Sequence, residues 1–130
     1  MRNISKSFGP IHALADVTFR VRKGTVHALC GENGAGKSTL MKVLAGVYQP
    51  DAGAIVFEGR ECRFPTPGDA LATGISMIFQ ELDLAEDLTV AENVFLGAEP
   101  RGALPFIVDR SAMNAETNRL AAQYGFDVRA

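Results

Sequence analysis

Cysteine is nearly absent from this chain: its 130 residues include only Cys30 and Cys62. Two cysteines are too few for a disulfide framework, and they stand at no metal-ligand spacing. Neither a stapled secreted scaffold nor a zinc module is indicated, and a reducing, cytosolic setting fits best. No apolar run approaches the roughly 20 residues that span a bilayer, and the N-terminus lacks a signal peptide's long apolar stretch. Neither sign of charge dominates. The formal net charge is −2, so no global basic field draws nucleic acid or an anionic membrane. Internal repeats and low-complexity segments are missing too. What is present is an ordinary globular composition, 47% apolar and 22% charged, long enough for one domain with one core.

One short stretch cannot serve that core. Residues 31–39 read GENGAGKST, three glycines and a lysine between the apolar run TVHALC and the helix-like run LMKVLAGV. Gly31, Glu32, Asn33, Gly34, Ala35, Gly36, Lys37 and Ser38 match G-x-x-x-x-G-K-[ST], the P-loop or Walker A pattern. Glycines let the backbone turn sharply, so that successive N–H groups point inward at phosphate oxygens. The helix that follows adds its positive dipole end and unpaired donors. Lys37 can reach the β- and γ-phosphates, the Ser38 hydroxyl can ligate Mg²⁺, and Thr39 offers another hydroxyl to a phosphate oxygen. A chance match in a chain of this length is expected on the order of a few times in a thousand. A dinucleotide fingerprint fits less well, because it needs glycine where Thr39 stands.

Along the chain, Ala15, Val17, Phe19 and Val21 alternate with Asp16, Thr18, Arg20 and Arg22, the pattern of a half-buried strand. Residues 25–30 suit a central strand, with His27 as a satisfied core residue. A helix is expected to begin near Lys37, with Leu40, Val43, Leu44 and Val47 on one face, and to end at Gly46 before the turn signal of residues 50–53. Residues 54–57 and 62–64 look like short strands joined across 58–60. A helix over 67–73 and a strand over 74–79 follow. Beyond Gln80, a short helix over 91–96, a loop over 99–105, and a helix over 110–124 capped by Asp109 are expected. That last helix should place Met113, Leu120, Ala121 and Tyr124 on one side.

The flanks of the P-loop carry a resemblance. Residues 4–59 closely resemble the start of an ABC-type ATPase domain, and GISMIFQELDLAEDLTVAENVFLG resembles that family's glutamine loop and the segment after it. GENGAGKSTLMK with FQEL and AENVFLG is most similar to the ATPase subunits of bacterial carbohydrate importers, of the ribose, xylose or galactose type. The resemblance implies an α/β P-loop core with an antiparallel β-subdomain in residues 1–80, and the start of a helical subdomain in residues 81–130. It implies ATP and Mg²⁺ as ligands and ATP hydrolysis driving monosaccharide import from the cytoplasmic face of the inner membrane. Phe8, in SKSFG, matches the aromatic whose ring stacks on adenine. Gln80 matches the glutamine that helps hold Mg²⁺ and the attacking water, which makes it, with Lys37, a catalytic candidate. Residues 81–97, which begin at Glu81 and end at Gly97, match the region that docks on the membrane permease subunits. A second ATPase domain and, indirectly, a periplasmic sugar-binding protein are the other implied partners.

The family's signature loop, its Walker B strand ending in Asp-Glu and its switch histidine are not found in these residues. Phe106, Ile107, Val108 and Asp109 imitate a Walker B strand, but Arg110 stands where the acid belongs and Pro105 opposes a central strand. The expectation is therefore a fragment carrying half of one nucleotide site, inactive alone. Two rival readings are weaker. A small P-loop kinase needs an arginine-rich lid, and only Arg101 and Arg110 fall in the lid-like region. A non-transport ABC protein acting on nucleic acid or the ribosome would show a basic patch, whereas the region after Gln80 is acidic.

Overall fold

A computed structural model describes residues 1–80, 84–102, 104 and 106–127. The chain divides into two compact units, Met1–Phe79 and Gln80–Ala130.

The first unit is built on a sheet of four antiparallel strands: β1 (Arg2–Phe8), β2 (Ile11–Val17), β3 (Ala52–Phe57) and β4 (Arg60–Cys62), in the order β2-β1-β3-β4. The β3–β4 hairpin turns at Glu58 and Gly59, both at positive φ (49° and 82°), the backbone of a tight two-residue turn. Helix α1 (Lys37–Leu44) buries Leu40 and Val43 with Ile4, Leu14, Ile55 and Phe64. Helix α2 (Pro67–Ala72) starts as expected. Thr66 Oγ1 accepts from Asp69 N, and Asp69 Oδ2 accepts from Thr66 N at 2.9 Å, with Pro67 in the first turn.

Three expectations are corrected. β2 runs over residues 11–17 rather than 15–22, because the alternation changes phase at Asp16. That residue has φ 54°, and Asn3 on β1 has φ 52°. Their backbone irregularity is satisfied by side chains: Asn3 Nδ2 donates to Asp16 Oδ1 at 2.7 Å, and Asp16 N donates to Ser5 Oγ at 3.0 Å. Leu14 therefore points inward on one side of the irregularity, and Val17 and Phe19 pack on the core from the other. Residues 25–30 and 74–79 form no strand; Val26 and Ile78 are 103% and 88% exposed. A central strand needs a neighbour along each edge, and the described residues supply none to either run. His27 is consequently an exposed residue rather than a core one, its ring edge-on to Phe19 at 5.1 Å.

In the second unit, α3 (Val90–Val94) and α4 (Arg110–Tyr124) pack together through Ala91, Met113, Thr117 and Ala121. Thr89 and Glu92 form a reciprocal cap on α3, and Asn93 holds the preceding loop through the carbonyls of Ala85, Leu88 and Thr89. Asp109 Oδ1 accepts from Ala112 N at 2.9 Å, so it caps α4 as expected and is no Walker B acid. The buried stripe of α4 takes in Thr117, whereas Tyr124, expected on that side, is 64% exposed.

Candidate functional site

The loop of residues 31–36 folds back on itself. Ala35 N donates to Glu32 O at 3.2 Å, and the Lys37 ammonium donates to Gly31 O at 2.6 Å and to Glu32 O at 2.7 Å. An ammonium has three donors. Two hold the loop's carbonyls, and one remains for an incoming oxygen. Gly36 is the N-cap of α1, in the left-handed conformation at φ 82°. No side chain caps the helix, and no acid stands in its first turn. The first hydrogen bond that closes on the cap is Leu40 N to Gly36 O at 2.9 Å, so the preceding N–H groups lack intrahelical acceptors. An uncapped helix start beside a lysine favours an anion.

Gly36 is also where the loop meets the sheet. A Cβ there would lie 2.6 Å from Ala13 O and 2.9 Å from Leu14 Cδ2, both on β2. The cradle thus rests on the strand that pairs with β1, and β1 ends at Phe8. Phe8 is 42% exposed and meets Tyr48 edge to face, with centroids 5.0 Å apart and planes at 71°. Ser38 is exposed and Thr39 half-buried in the first turn of α1. Phe8 and residues 31–39 belong to the first unit, while Gln80 is exposed at the start of the second.

The residues present suit magnesium brought in with a nucleotide. Mg²⁺ takes few protein oxygens and completes its shell with phosphate oxygens and water. The Ser38 hydroxyl offers one such oxygen, and among the described residues no cluster of three or more His, Cys, Asp or Glu offers a metal cage of its own. Of residues 81–97, Glu81, Leu82 and Asp83 lie outside the described residues. Leu84, Val94 and Leu96 expose apolar side chains.

Sequence reasoning missed Tyr48 and Asp51. The Asp51 carboxylate binds the Lys6 ammonium at 2.8 Å and accepts from Ser7 N at 2.7 Å, which ties the end of β1 to the turn after α1. These two contacts, Lys6 first, hold its carboxyl below the usual range. An aromatic and an acid flanking a proline just past a helix end were the available signals.

The family model described as ABC transporter matches residues 14–129, which contain this cradle. The chain belongs to the ABC transporter family. It is 54% identical, over 95% of its length, to the ribose import ATP-binding protein RbsA of Yersinia pestis bv. Antiqua (strain Antiqua). It is 49% identical over 98% to ribose import ATP-binding protein RbsA 1 of Streptomyces coelicolor, and 47% identical over 98% to a putative ribose/galactose/methyl galactoside import ATP-binding protein of Agrobacterium fabrum. In each case it covers 25% of the relative. This ABC family chain therefore spans about a quarter of the length of the curated relatives it matches. Among its described residues, no helix is long and apolar enough to cross a membrane.

Proposed function

We propose that this chain is the nucleotide-binding part of an ATPase subunit that powers monosaccharide import, working at the cytoplasmic face of the bacterial inner membrane. The observation that carries the reading is the uncapped, lysine-closed cradle of residues 31–39, set in a chain about half identical to sugar-import ATP-binding proteins. In this reading the loop's N–H groups and Lys37 bind the β- and γ-phosphates, Thr39 donates its hydroxyl to a further phosphate oxygen, and Phe8 stacks on the base. Ser38 and Gln80 would hold Mg²⁺, which neutralises phosphate charge when bound, and Gln80 orients the attacking water. Residues 81–97 dock on the permease subunits, a second ATPase domain completes the site, and a sugar-binding protein delivers the cargo outside.

Calorimetry of the chain with MgATP tests the core of this reading. Saturable binding that is lost in Lys37→Ala is expected. A pulldown against the permease of a ribose-type importer, with charge-reversed Glu86 and Asp87 as the control, tests the partner. Binding to duplex DNA in preference to the permease would overturn that part.

A further inference from the structure

From the ring geometry at the end of β1 we infer that Tyr48 is a positioning residue for the nucleobase, acting through Phe8. The inference rests on the proposed nucleotide site. Phe8 is the last residue of β1 and 42% exposed, so the strand alone does little to fix its ring. Tyr48 is better anchored. It follows the end of α1, its N–H donates to Lys42 O at 3.2 Å, and its side chain packs on the core cluster. The two rings meet edge to face with centroids 5.0 Å apart, an arrangement the aromatic quadrupole favours. In a T-shaped pair Tyr48 covers at most one face of Phe8, and the ring's 42% exposure is the surface a base would use, with the flexible Lys6 side chain free to move aside.

The same connection grips β1 a second time. Asp51 takes the Lys6 ammonium and the Ser7 N–H, the two residues just before Phe8. Lys6 Nζ in turn stands over the Phe8 ring at 5.6 Å, and Lys42 Nζ over the Tyr48 ring at 5.7 Å. A ring braced by a perpendicular neighbour and by a cation has fewer orientations open to it, so less rotational freedom is lost when a base stacks. Helix α1 begins at the phosphate cradle and ends just before Tyr48. One short element thus sets both the phosphate contacts and the ring that supports the base.

The probes are MgATP, MgGTP and inorganic tripolyphosphate with Mg²⁺, the last having phosphates and no base. The wild-type chain is expected to bind both nucleotides more tightly than tripolyphosphate. Tyr48→Leu keeps an apolar body for the core and removes the ring; it should weaken both nucleotides about two- to tenfold and leave tripolyphosphate unchanged. Tyr48→Phe should restore wild-type affinity, and Tyr48→Leu should cost nothing further in a Phe8→Ala background. A second measurement avoids the substitution. The chain has two tyrosines, so ring-labelled tyrosine in a Tyr124→Phe background reports Tyr48 alone by NMR. Its ring signals should shift with MgATP and stay put with tripolyphosphate.

The outcomes separate the two levels of the argument. A wild-type chain with no preference for nucleotide over tripolyphosphate overturns the base-stacking reading itself. A preserved preference in Tyr48→Leu, or unmoved Tyr48 signals on adding MgATP, overturns the role of Tyr48 alone. Equal weakening of nucleotide and tripolyphosphate in Tyr48→Leu also overturns it, because the ring would then be supporting α1 rather than the base.

Discussion

In the proposed site Lys37 has two tasks: its ammonium ties Gly31 O and Glu32 O, and its third donor is left for a phosphate oxygen. Lys37→Ala therefore removes a charged phosphate contact and loosens the loop that aims the N–H groups. The expected loss of MgATP affinity is about tenfold to a hundredfold, from the size of hydrogen bonds to charged groups. The fold should hold, because the freed carbonyls lie in an exposed loop and water replaces the lysine; urea unfolding should change by less than about 1 kcal/mol. Unchanged affinity in calorimetry would remove Lys37 from the site. Gly36 predicts the opposite division. Its φ of 82° is costly for any L side chain, and a Cβ would sit 2.6 Å from Ala13 O. Gly36→Ala should destabilise the first unit by about 1–3 kcal/mol and push the loop off β2, so stability and phosphate binding fall together. A urea midpoint equal to wild type would show that the loop does not rest on the strand.

The elements differ in how far their own residues determine them, and pH offers a way to test one junction. Asp51 is ionised more easily in the fold than in the open chain, because the Lys6 ammonium and then the Ser7 N–H favour its charged form. A depressed carboxyl pKa contributes stability in full above the unfolded value, about 3.9, and loses it as pH falls through the folded value. Wild type should thus lose urea resistance between neutral pH and about pH 3 more steeply than Asp51→Asn does, by a small margin because the pair is exposed. Parallel curves would show the junction to be energetically idle. The same contrast between local and distant causes explains what could be read from the residues. The P-loop, the cap at Asp109 and the bounds of α4 are written in neighbouring positions and were legible, whereas the reciprocal caps at Thr66 and Thr89, equally local, went unread. The sheet was legible in part: the strand expected at 54–57 is β3, Ala52–Phe57, but its hairpin partner, expected at 62–64, is Arg60–Cys62. The extent of β2 was not legible, because the register between β1 and β2 shifts between Ile4 and Lys6, with Asn3 and Asp16 at positive φ, and only pairing reveals that. Residues 25–30 and 74–79 have strand-like composition, but a strand is a property of two chains segments side by side, and their partners are not among the described residues. The Phe8–Tyr48 contact crosses 40 positions of sequence. No periodicity carries such information.

At the scale of the whole chain, the apolar surface and the nucleotide site lead to one joint expectation: binding without turnover, and association between copies. The cradle is local, made by one loop, one helix start and the edge of one strand, so it can form in this chain by itself. Transfer of a phosphoryl group asks for more. It needs donors that match the charge developing on the transferring group and an acid that orients water, and residues 1–130 contain no signature loop and no Asp-Glu strand end. Loss of one such charge-stabilising group in phosphoryl-transfer enzymes costs on the order of 10³–10⁵ in rate, which puts any hydrolysis at background. Meanwhile Val26, Ile78, Leu84 and Phe106 expose 103%, 88%, 73% and 79% of their surface. The first unit also carries an apolar groove of about 770 Å³ lined by Met1, Phe19, Val21, Leu44, Ile55 and Ile75. Unpaired strand-like runs and an open groove are surfaces that a second copy can cover, by edge pairing or by exchange of an element. Sedimentation over the micromolar range should show mass rising with concentration, and Val26→Lys with Ile78→Lys should suppress it while MgATP binding survives. A chain that stayed monomeric throughout and released phosphate from MgATP at a rate abolished by Lys37→Ala would overturn both halves of the expectation at once, since a complete catalytic site would then reside in these 130 residues.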